Sequence, residues 1–232
     1  MINEVPGYVS ITFILTTFVT IGFLFHAIKH SVLETIPAKI VISLIAFWIF
    51  FQAILSLGGF YLNVDTLPPR LPLFAVFPAL ILIFALFVFA RKNFIEKLPL
   101  KTLTLLHIVR IPVEIVLWWL FINKQIPQLM TFEGRNFDIL AGITAPIIAL
   151  IAFRKDEINR PLLIIWNISS LLLLTNIVVH AILSLPSPIQ QLAFDQPNRA
   201  VLYFPYIFLP AIVVPIVLFA HLTSLWNLVK KS

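Results

Sequence analysis

The sequence predicts an all-α integral membrane protein, a seven-transmembrane-helix bundle with its N-terminus outside and its C-terminus in the cytoplasm. Three observations lead there. Only 11% of the 232 residues are charged and 60% are hydrophobic, whereas a soluble domain is about 25% charged. Mean hydropathy is +1.03. The apolar residues also gather in runs of about 20, the length that crosses about 30 Å of hydrocarbon.

The first run, 8–28, follows Met1-Ile-Asn-Glu-Val-Pro-Gly7, which lacks a basic leader. It is too long for a signal-peptide core, so it is expected to persist as a helix. The second run, 40–62, carries Gln52 near its middle, and the third covers 71–90. The fourth, 102–122, holds Pro112, which lacks an N–H and should kink the helix and free the Ile108 carbonyl. The fifth, 137–153, is the shortest, and the sixth covers 161–184. The seventh, 201–228, has room to tilt and should bend at Pro205, Pro210 and Pro215. Connections are short and no repeat or linker interrupts them, so residues 1–232 are expected to form a single transmembrane domain.

Orientation follows from Lys and Arg. Lys29, Lys39, Arg91, Lys92, Lys97, Lys101, Arg154, Lys155, Arg160, Lys230 and Lys231 fall on one side; Arg70, Lys124, Arg135 and Arg199 fall on the other. Eleven against four places the first side in the cytoplasm, as expected of a multi-pass protein of a bacterial inner (plasma) membrane. The net charge of +6 is thereby explained without nucleic acid. The absence of cysteine excludes disulfides, thiol nucleophiles and Cys-ligated metals. No GxGxxG, GxxxxGK[ST] or GxSxG pattern occurs. The seventh run has no Lys to form a retinal Schiff base.

Ionisable side chains inside a span are costly and point to function. His107, Arg110 and Glu114 stand at i, i+3 and i+7 in the fourth run and share one helix face. Glu114 lies about 18 Å inside the cytoplasmic boundary, near the midplane. These three are the candidate catalytic residues. Asn167 and His221 lie at depths similar to His107, so a polar layer of His26, His107, Arg110, Asn167 and His221 is geometrically possible. Gln52, Asn167, Asn176, His180 and Tyr206 are candidate ligand contacts. His26 and His30, at i and i+4, form a candidate metal set with His221. Before the fifth and seventh runs, Glu133-Gly-Arg135-Asn136-Phe-Asp138 and Asp195-Gln-Pro-Asn198-Arg199 read either as binding loops or as helix caps.

The reading that leads from these residues is a membrane-embedded enzyme or cofactor protein acting on a lipidic or small anionic ligand. Arg110 would hold the anion, Glu114 would exchange a proton, and haem or a divalent metal is the cofactor considered. A proton-coupled carrier or ligand-binding receptor is the alternative, with Glu114 as the coupling residue. A structural or assembly subunit is the third. Membrane lipids are the expected partners.

Overall fold

The computed structural model describes residues 2, 4–154 and 157–230; Lys155 and Lys231, two of the basic residues weighed above, lie outside the described residues. Six helices are long and apolar enough to cross a membrane. They are α1 (Gly7–Lys29), α2 (Ile36–Leu57), α3 (Pro72–Phe89), α4 (Leu100–Ile122), α6 (Arg160–Leu183) and α7 (Leu209–Lys230). The fifth helix in the chain, α5 (Ile139–Ala152), is shorter. A two-residue antiparallel pair, Phe153–Arg154 with Glu157–Ile158, joins α5 to α6. The chain is a polytopic, all-α membrane protein.

Helix starts follow local chemistry. Thr35 caps α2 by accepting from the Ala38 N–H, and Asn159 caps α6 by accepting from the Leu162 N–H. Each is followed by proline in the first turn, where its missing N–H costs nothing. Within α1, the buried Thr16, Thr17 and Thr20 hydroxyls donate to the carbonyls four residues back, so these three are already satisfied.

The bundle is built around α4 and α7. Half of the apolar stretch of α4 is buried and 67% of that of α7, against 17% for α2 and for α3. Helices α4 and α7 touch each other; α1 packs on both, α5 on α4, α6 on α5 and α7, and α3 on α7. Helix α2 is held at the edge by two polar side chains. Pro78 and Pro215 offer no N–H to the carbonyls four residues back, those of Phe74 and Ala211. Gln52 Nε2 donates to the Phe74 carbonyl (2.8 Å) and Trp48 Nε1 to the Ala211 carbonyl (3.0 Å). Both α3 and α7 open with a widened, π-type turn, Pro72–Val76 and Leu209–Val213, as prolines allow.

Three elements differ from the sequence reading. The seventh helix begins at Leu209, with a separate short turn at Ala200–Leu202 before it. The break in α4 is one 3-10 turn over His107–Val109, directly ahead of Pro112. Seven crossing segments are expected from the sequence, yet α5 has 14 residues, about 21 Å. Its N-terminus starts level with the middle of α4, where Asp138 meets Arg110. Gly142 permits that approach: a Cβ there would lie 2.9 Å from Ile111 Cγ1 and 3.0 Å from Ile111 N.

Candidate functional site

His107, Arg110 and Glu114 are 0%, 2% and 1% exposed, so the whole stripe of α4 faces inward. An ionised group cannot remain there without partners, and each neighbouring element supplies one.

Arg110 is the hub. Its Nη1 donates to Asp138 Oδ1 (3.0 Å) at the start of α5 and to the Ser170 carbonyl (3.3 Å) of α6. Its Nη2 lies 2.9 Å from His221 Nε2 on α7. The tautomer of His221 follows from its other side. Asn167 Nδ2 donates to the Leu163 carbonyl, which turns Asn167 Oδ1 toward His221 Nδ1 at 2.8 Å. An amide oxygen only accepts, so His221 Nδ1 carries the proton and Nε2 offers its lone pair to Arg110. His107 stacks on His221 with ring centroids 3.9 Å apart, and Trp166 stands edge-on to His107 at 5.3 Å. The Trp166 indole N–H donates to Thr144 Oγ1 on α5.

Glu114, one helical turn beyond Arg110, accepts from Asn136 Nδ2 at 2.6 Å. Asn136 also donates to the Met130 carbonyl and accepts from the Asp138 N–H, so one amide ties the carboxylate to the connection between α4 and α5. That connection folds inward rather than standing off the surface: Ile126, Met130, Thr131 and Asn136 are at most 1% exposed. Gly134 makes the fold possible, because a Cβ there would collide with the Gln128 carbonyl oxygen and lie 2.7 Å from Leu129 Cα.

Four buried polar atoms of this cluster have no hydrogen-bond partner: His107 Nδ1 and Nε2, Arg110 Nε and Glu114 Oε2. Buried polar groups are ordinarily paired, so these are the points at which the cluster can accept or donate a proton or meet a ligand.

The structure brings together His107, Arg110, Glu114, Asn167 and His221 from the residues singled out in the sequence. The others lie elsewhere. Gln52 is engaged by the Phe74 carbonyl and by the Tyr61 hydroxyl, which donates to its Oε1 at 2.6 Å. Asn176 donates to the Arg135 carbonyl, and His180 meets the Asn176 carbonyl; both are half-buried. The Tyr206 hydroxyl pairs with Ser10 at 3.0 Å. His26 and His30 lie 4.3 Å apart but are exposed, whereas His221 is fully buried, so the three do not form one metal set. Among the described residues no group of three or more His, Asp or Glu side chains is arranged to hold a metal ion. Two imidazoles stacked 3.9 Å apart, as His107 and His221 are, leave no space between them for a haem plane.

Asn136 and Asp138, which the sequence offers as helix caps, are instead the partners of Glu114 and Arg110. Asp138 precedes α5 but its side chain makes no capping hydrogen bond. The signal for it is the brevity of the fifth apolar run, which implies a start inside the bundle. Ser170 contributes through its backbone carbonyl, for which a sequence carries no signal.

Comparison with curated proteins and with solved structures finds no match. A family profile does match, over residues 68–229, and it contains every residue of the cluster. By that match, which covers more than half of the sequence, the chain belongs to the family described as a domain of unknown function, DUF8737.

Proposed function

We propose that the protein is a proton-linked membrane carrier for a small or lipidic ligand, with the buried cluster as its proton-binding site. One observation carries the reading: among the described residues a single buried cation, Arg110, stands with two buried carboxylates, Asp138 and Glu114. In a low-dielectric interior a net charge is strongly disfavoured. One cation with two anions reaches neutrality by taking up one proton. Glu114 Oε2, which has no partner, is the place where it can reside. Helix α5 begins inside the bundle and rests on Arg110 through Asp138, so a change in the charge of the cluster acts directly on the position of that helix.

Arg110 as an anion clamp in an enzyme is less well supported, since Asp138, Ser170 and His221 already take its Nη donors. The distribution of Lys and Arg favours an outside N-terminus for this carrier.

Trp166 is a built-in reporter, lying 5.3 Å from His107 and 5.9 Å from His221 by ring centroids. Fluorescence of the purified protein is to be followed from about pH 5 to 10, a range that includes that of buried carboxyls, and the signal of Trp166→Phe subtracted. A transition is expected in the wild-type difference and should be lost or displaced in Glu114→Gln. Hydrogen exchange of α5 over the same range should change in wild type and not in Glu114→Gln. A flat difference signal, or exchange of α5 indifferent to pH, would replace the carrier by a static structural subunit.

A further inference from the structure

A second feature lies away from the cluster. An open apolar cavity of about 730 Å³ runs between α3 and α7, lined among others by Ile83, Phe84, Phe87, Leu222 and Trp226, and Lys230 stands at its end. Along α7 its lining extends from Leu218 to Lys230, about 18 Å. That is close to the depth of one leaflet, half of the roughly 30 Å hydrocarbon core. The cationic end is organised. Lys230 Nζ sits 2.6 Å from Glu96 Oε1, and Arg91 Nε lies 3.6 Å from the same oxygen. The Arg91 guanidinium also stands over the Trp226 ring, 5.1 Å from its centroid. The close contact with Lys230, foremost, holds the Glu96 carboxyl below its usual range. The three groups therefore carry one net positive charge at neutral pH. Both cations remain close to half exposed, at 43% and 47% of the side chain.

We propose that this groove is a binding site for an anionic glycerophospholipid, with one acyl chain lying between α3 and α7 and the phosphate headgroup held by Arg91 and Lys230. A lipid-facing surface by itself offers apolar area without a cationic end. Here the groove, its one-leaflet length and an unneutralised charge occur together. Arg91 and Lys230 keep their heads at the interface while Trp226 fills the boundary between headgroup and chain.

The test is native mass spectrometry of the full chain titrated with an equimolar mixture of phosphatidylglycerol and phosphatidylcholine bearing the same acyl chains. Wild type is expected to retain the anionic lipid in preference by about fivefold, as one net positive charge near one headgroup implies. Arg91→Gln and Lys230→Gln should each bring the ratio close to unity. Lys92→Gln, an exposed neighbour outside the groove, should leave it unchanged. Equal retention of both lipids, or retention of neither, would overturn the proposal. So would a loss of preference in Lys92→Gln equal to that in Arg91→Gln, since that reports a general surface field.

Discussion

At the scale of single residues, the cluster is governed by the pairing of Arg110 with Asp138, 3.0 Å apart with both side chains more than nine-tenths buried. A buried ion pair is not by itself strong evidence of stabilisation, because desolvation offsets the attraction; breaking one by removing a single partner is what destabilises. Asp138→Asn is therefore expected to lower stability by about 3–5 kcal/mol, and the double variant Arg110→Met/Asp138→Leu should recover most of the loss. Reversible unfolding in detergent micelles measures both. A single-variant loss under about 1 kcal/mol, the scale of an exposed pair, would mean that Glu114 already serves as the counter-charge.

At the scale of elements, prolines in α3 and α7 decide where α2 docks. The carbonyls of Phe74 and Ala211, deprived of their usual N–H donors by Pro78 and Pro215, are answered by Gln52 and Trp48, which stand four residues apart on one face of α2. Gln52→Leu should cost about 1–3 kcal/mol, since it leaves the Phe74 carbonyl and the Tyr61 hydroxyl unpaired. In a Pro78→Ala background the same substitution should cost less, because the restored N–H can answer the carbonyl. Equal penalties in both backgrounds would show that the two residues are not coupled. Gln52 is thus a helix-docking residue, although from sequence alone a polar residue at mid-span reads equally well as a ligand contact.

At the scale of the whole molecule, orientation is an inference from charge, and the lack of cysteine makes it easy to check. Single substitutions Glu34→Cys, between α1 and α2, and Asp195→Cys, between α6 and α7, can be labelled with no background thiol. With the N-terminus outside, an impermeant maleimide added to intact cells should modify Asp195→Cys and spare Glu34→Cys. The reverse pattern would invert the topology and with it the leaflet assigned to the positive side.

The sequence by itself determined the class of the protein, the positions of the crossing segments to within a few residues except at the start of the seventh, and the inward stripe of α4. Hydrophobicity in runs of about 20 residues is a local property, and so is the i, i+3, i+7 spacing of His107, Arg110 and Glu114. Only the tertiary structure decided what those side chains meet. That α5 starts inside the bundle, that Asp138 and Asn136 serve Arg110 and Glu114 rather than a helix end, and that His26 stands outside while His221 stacks on His107 all depend on helix order and rotation. Contacts between residues as far apart as Arg110 and His221 are set by which helices pack together, and in lipid every face of an apolar helix is equally free to do so until its neighbours are chosen.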